Sequence, residues 1–132
     1  MALVNLKIFR KEKTLAVLRP KIALLKRLLK PLADLPLVGD IRQRGMMVSI
    51  ELVRSKTTRE AIPLQARIGH RVATEARRRG LLLRPIGNVI VLMPPLSSSR
   101  DQLSRMVEIL GDSIDTCTHP TRAPDAAQSP VL

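Results

Sequence analysis

Apolar positions recur along the chain with two different periods, and the switches between them mark out its elements. Between residues 5 and 33, Ile22, Leu25, Leu29 and Leu32 keep the spacing of a helix, widened by Leu24 and Leu28. Lys21, Lys26, Arg27 and Lys30 fall on the opposite side. Pro20, which suits a first-turn position, predicts a break there, and Pro31 predicts an end or a kink. Residues 37–45 read as a linker or a short edge strand. From Met46 the period drops to two: Met46, Val48, Ile50 and Leu52 face one way, Ser49 and Glu51 the other. That predicts a strand over about 46–52, followed by a polar loop from Arg54 to Glu60.

The helical period returns after Pro63, where Leu64, Ile68, Val72 and Ala76 recur every four residues and Gly80 stands where a C-terminal cap belongs. Gly69 inside this helix costs ~1 kcal/mol relative to alanine, a cost that a close backbone approach would explain. Arg77, Arg78 and Arg79 suit the negative end of the helix dipole. Further on, Ser99-Arg100-Asp101-Gln102 has the form of a capping box ahead of a stripe of Leu103, Met106, Val107, Leu110 and Ile114. From Thr116 onward the composition is that of a disordered tail.

Between the last two helices lies a pair of apolar runs flanking Gly87-Asn88, the signal of a two-residue hairpin over about 81–93. Counting from the turn pairs Ile86 with Val89, Arg84 with Val91 and Leu82 with Met93. One face then holds Leu82, Arg84, Ile86, Val89, Val91 and Met93, the other Leu81, Leu83, Pro85, Ile90, Leu92 and Pro94. Both faces are apolar, as in a sheet covered on both sides. Arg84 is the one charge within it. A guanidinium is costly to bury unpaired. Arg84 must therefore reach solvent, pair with an acid such as Glu51 or Asp40, or await an anionic ligand.

The order helices, strand, helix, hairpin, helix predicts an α+β fold: a small, mainly antiparallel sheet packed by helices on one side. Those helices cover one face of the hairpin, so the second face is expected to meet a partner domain or chain.

Composition narrows the functional classes. The 132 residues suffice for one domain with a core, and no apolar run approaches the length of a membrane span. One cysteine, Cys117, excludes an internal disulfide framework and fits a reducing, cytoplasmic setting. His70 and His119 lie far apart, so no metal site is expected. The net charge of +12 is concentrated at the N-terminus, where residues 1–30 carry nine Lys/Arg against Glu12 alone. The chain nevertheless lacks Trp and Tyr and has only Phe9, so it offers no aromatic platform for single-stranded bases. Specific nucleic-acid binding and membrane association are not expected, although a basic α+β module for anionic lipid or nucleic acid is the alternative the charge keeps open.

The segments Val38-Gly39-Asp40-Ile41-Arg42-Gln43-Arg44-Gly45-Met46-Met47-Val48-Ser49-Ile50-Glu51-Leu52 and Gly80-Leu81-Leu82-Leu83-Arg84-Pro85-Ile86-Gly87-Asn88-Val89-Ile90-Val91-Leu92-Met93-Pro94-Pro95 resemble the C-terminal small domain of class III pyridoxal-phosphate aminotransferases, of fold-type I. The likeness runs from about Asn5 to Asp115 and is nearest to the biotin-synthesis branch. It implies transfer of an amino group from S-adenosylmethionine to 8-amino-7-oxononanoate. It also implies pyridoxal 5'-phosphate as cofactor of the full-length family and a homodimer. Residues 1–36 would be helices leading out of a large domain, 37–115 the small domain and 116–132 the tail.

In that family the arginine before the proline of this turn holds the substrate carboxylate, which here implies Arg84 as the substrate-binding residue. The Schiff-base lysine and the cofactor-binding residues belong to the large domain. No lysine here sits in a matching motif, so no catalytic or cofactor-binding residue is assigned. The chain alone is expected neither to hold the cofactor nor to turn over without a large domain or split-enzyme partner.

Overall fold

The computed structural model describes residues 1–119. Its elements are the helices α1 (Ala2–Lys11), α2 (Thr14–Leu29), α3 (Ile68–Arg78) and α4 (Arg100–Thr118), with the strands β1 (Val38–Arg44), β2 (Met47–Ser55), β3 (Glu60–Ala61), β4 (Arg84–Ile86) and β5 (Val89–Leu92). The main sheet runs β1-β2-β5-β4, every neighbouring pair antiparallel, with β3 pairing the far end of β2.

The alternation along β2 and β5 sends Val48, Ile50, Leu52, Ile90 and Leu92 to one face, where each is almost wholly buried. Leu25 and Leu29 of α2, Val72 and Ala76 of α3, and Leu103, Leu110 and Ile114 of α4 close over that face. Each such aliphatic side chain contributes about 1.5–3 kcal/mol on leaving water, so this one layer of helix on sheet carries the core. The fold is the expected α+β arrangement with its helices on one side.

Helix ends follow their local chemistry. Ser99 Oγ accepts from the Gln102 backbone N–H at 3.1 Å while the Gln102 side chain accepts from the Ser99 N–H at 2.8 Å, closing the capping box of α4. At the end of α3, Gly80 takes φ +92°. Its N–H reaches the Arg77 carbonyl at 3.0 Å, and that of Leu81 the Ala76 carbonyl at 2.9 Å. This is the paired bonding of a Schellman motif, with Leu81 buried beyond it. Arg79 then ties α3 to α4 through Glu75, Asp112 and Thr116.

Several boundaries differ from those the sequence predicts. The N-terminal helices break at Lys13, in the left-handed region at φ 49°, and Pro20 lies inside α2. The proline is exposed there, as is Ala16, whose carbonyl it leaves without its usual helical donor. Buried Leu18 and Leu25 on either side hold the helix together. Residues 38–44 form a full strand, because Gly45 at φ 60° makes a two-residue turn with Met46 and registers Arg44 against Met47. The region expected to be a polar loop carries the end of β2 and, as β3, Glu60–Ala61. Helix α3 starts at Ile68, since Arg67 turns the chain at φ 47°, and Leu64 stands exposed ahead of it. The α4 helix runs on through Thr116–Thr118, which were expected to open the tail. The rest of the expected tail, 120–132, lies outside the described residues.

Candidate active-site face

The hairpin forms as counted from its turn: Ile86 pairs with Val89 and Arg84 with Val91. Leu82 and Met93 fall beyond the paired residues and both stand exposed. Gly87 has φ 57° and Asn88 does not have positive φ, the pattern of a type II′ turn. Three contacts fix this turn to the body. Asn88 Nδ2 donates to the Ile62 carbonyl at 2.6 Å, and the Asn88 carbonyl accepts from the Leu52 N–H at 2.8 Å. The third is the backbone of α3 at Gly69, where a Cβ would collide with the Gly87 carbonyl. The glycine in the middle of α3 thus permits the close approach that its helix cost implied.

Register across the sheet places Arg42, Ser49, Val91 and Arg84 in one row on the face away from the helices, with Asp40, Glu51, Val89 and Ile86 in the next. At about 4.8 Å per strand, Arg42 and Arg84 stand about 14 Å apart at their backbones. The acids on this face belong to Arg42, whose Nε meets Asp40 at 2.8 Å and whose guanidinium lies 4.0 Å from Glu51. The hydrogen bond from Arg42 holds the Asp40 carboxyl below the usual carboxylate range, against a smaller opposing effect of desolvation.

Arg84 takes part in no ion pair or side-chain hydrogen bond among the described residues. The pairing with Glu51 or Asp40 that the sequence left open is therefore not formed. Around Arg84 the face is aliphatic: Val89 and Val91 are half-buried, and Leu82, Ile86 and Met93 are 76, 61 and 68% exposed. A two-pronged cation beside an aliphatic strip can take a carboxylate carried on a hydrocarbon chain. The grooves described on this chain are lined by other residues. Arg84 therefore stands on an open face of the sheet.

The same chemistry tests the pyridoxal-phosphate cofactor. A site for it needs a desolvated lysine amine to take its aldehyde and, across the ring, an acid for the ring nitrogen. Lys7, Lys11, Lys13, Lys26, Lys30 and Lys56 are exposed. Half-buried Lys21 gives its ammonium to the Leu96 carbonyl at 3.0 Å. Lys26 and Lys30 border a groove whose lining has no acid. The residues described do not fit the cofactor. Among them there is no metal-holding cluster either, and burial pushes the Cys117 thiol up, away from thiolate chemistry.

What the sequence missed is the set of contacts that frames Arg84. Gly45-Met46 was a second hairpin signal, and it would have brought β1, with Arg42, alongside Glu51. The Gly69 contact with Gly87 has no local signal beyond a glycine at an unfavourable place.

Comparison with known proteins adds the family. The profile "Aminotransferase class-III" matches residues 1–114. An adenosylmethionine-8-amino-7-oxononanoate aminotransferase from Nitratidesulfovibrio vulgaris is 46% identical over 98% of this chain and 25% of its own length. Its counterpart from Geobacter sulfurreducens is 44% identical over 89% of the chain and 26% of its own length. The crystal structure of the Methanocaldococcus jannaschii enzyme superposes with a TM-score of 0.83 at 43% identity, covering 86% of this chain and 26% of that one. The chain thus spans about a quarter of the length of the relatives it matches.

Proposed function

The chain belongs to the class III aminotransferases, and from that premise we propose that it is the C-terminal, substrate-recognising part of the biotin-pathway enzyme named for its relatives. In this reading it works with a large domain that carries pyridoxal phosphate and the reactive lysine, and the pair moves an amino group from S-adenosylmethionine to 8-amino-7-oxononanoate. The large domain, on the same polypeptide or on a split-enzyme partner, supplies the second wall over the open face, and the assembly is a homodimer in the cytoplasm. The observation that carries the reading is Arg84, exposed on the hairpin and unpaired among the described residues while Arg42 neutralises the acids of that face.

Arg84 binds the carboxylate of 8-amino-7-oxononanoate, and the aliphatic strip of Val91, Ile86 and Met93 lies along its hydrocarbon chain. Held by the large domain, the cofactor would supply the electron sink for amino transfer. This chain orients the substrate and excludes water from its apolar length.

Expressing the chain with the large-domain part of a relative tests this. Arg84→Ala should raise KM for 8-amino-7-oxononanoate by on the order of ten- to a hundredfold, the worth of a charge-assisted hydrogen bond, with partial rescue by Arg84→Lys. An unchanged KM overturns the assignment. A Schiff-base absorbance band on adding pyridoxal phosphate to the chain alone would overturn the division of labour.

A second reading, a basic module for anionic lipid, draws on α1. It buries none of its residues and exposes Leu3, Leu6 and Phe9 beside Lys7, Arg10 and Lys11. Vesicle binding with a steep salt dependence would favour that reading.

A further inference from the structure

At the end of the sheet opposite Arg84, strand β1 has a neighbour on one side only. Arg44 and Met47 flank the two-residue turn as a pair, so Arg44, Arg42 and Asp40 direct their backbone groups to β2. Ile41 and Gln43 direct theirs outward. The alternation is consistent across the sheet, since their opposite residues Ile50 and Val48 pair with β5. The Ile41 carbonyl and both backbone groups of Gln43 have no protein partner among the described residues.

Beside this edge runs a groove of about 460 Å³, with Ile22, Lys26, Leu29 and Lys30 on one side and Ile41 and Gln43 on the other. The Gln43 amide bridges it, donating to the carbonyls of Ile22 at 3.1 Å and Gly45 at 3.0 Å. Its Oε1 is buried with no donor. The rim is cationic: Lys26, Lys30 and Arg44 are exposed and take part in no ion pair among the described residues.

We propose that this edge and groove form a docking surface for an extended polypeptide segment of alternating apolar and acidic residues, added antiparallel to β1 as a further strand. Its backbone completes the bonds of Gln43 and the Ile41 carbonyl. Its apolar side chains turn inward onto Ile22 and Leu29, the face that β1 itself presents to α2. Its carboxylates meet Arg44 on the outer face and the two lysines at the rim. The register irregularity between Val38 and Asp40 limits the pairing to the stretch from Asp40 to Arg44. The competing explanation of these cations is that they guard the edge against any added strand.

The two differ in a direct measurement on the full, isotopically labelled chain. The probe is an acetylated octapeptide of alternating valine and glutamate, with a valine–lysine octapeptide as control. The proposal requires that the glutamate peptide slow exchange of the Gln43 amide by at least about tenfold and shift resonances from Ile41 to Gly45. It also requires that the lysine peptide leave both unchanged. Combining Lys26→Glu with Lys30→Glu, both at exposed positions, should weaken binding by roughly tenfold, the scale of two surface charge pairs. A Gln43 amide already protected in the free chain overturns the proposal, as does an equal response to both peptides. Protection confined to the β4 edge, or no response to the glutamate peptide, overturns it as well.

Discussion

The two faces of one sheet, built from alternate residues of the same strands, have opposite fates. On the inner face Val48, Ile50, Leu52, Ile90 and Leu92 are at most 3% exposed beneath three helices. On the outer face their neighbours Ser49, Glu51, Val89 and Val91 share space with Arg42, Arg84 and exposed aliphatic side chains. The inner face carries stability. The outer one is left open by the helices, and its charge is arranged unevenly: Asp40, Glu51 and Arg42 satisfy one another at the β1 end, leaving a cation and hydrocarbon at the β4 end. Hydrophobicity alone does not separate the faces of the hairpin, because both are apolar. What separates them is which one the rest of the chain covers.

Substitutions on the two faces put that contrast to measurement. Ile90→Ala, at the centre of the inner face, should lower unfolding stability by about 2–5 kcal/mol in a denaturant titration. A loss below 1 kcal/mol would mean that the core is not where the helices meet the sheet. Gly69→Ala comes next. The helix gains up to about 1 kcal/mol of propensity, but the new methyl has no room against the Gly87 carbonyl, so the net should be a loss of about 1–3 kcal/mol, the range of overpacking. Stabilisation by this change would dissolve the idea that α3 clamps the hairpin.

On the outer face, Leu82→Ser and Met93→Ser should each shift stability by no more than about 0.5 kcal/mol. Under the proposed function, the same changes in the chain joined to a large domain should weaken substrate binding. The smallest effect concerns acid. Since Arg42 lowers the Asp40 carboxyl in the folded chain, the pair stabilises at pH above the unfolded carboxylate range, and that contribution disappears as pH falls through the folded value. For so exposed a pair that contribution is small. Asp40→Asn should flatten the acid limb of stability against pH slightly, measured from pH 7 down to pH 3.

Much of this is legible in the sequence itself. The Gly87-Asn88 turn assigned every hairpin residue to its face, including Arg84, because side chains on a strand alternate and a two-residue turn fixes the register. The Ser99–Gln102 cap and the Gly80 stop were readable for the same reason: each is a bond among residues a few positions apart. Pro20 does not break its helix, and of the two readings of 37–45, linker or short edge strand, the edge strand forms. A proline weakens a helix locally, but buried leucines on both sides outweigh one missing hydrogen bond. A strand as polar as β1 is recognisable mainly through its partner.

Local pattern thus determined the class of fold, the two faces of the hairpin and the single charge set upon it. Where the faces point, which acids Arg42 takes, and the seat of the Gly87 carbonyl on Gly69 were decided by the folded chain. These depend on residues far apart in sequence, whose meeting is set by the path of the backbone and by the burial of the shared core. No window of neighbouring residues carries that information.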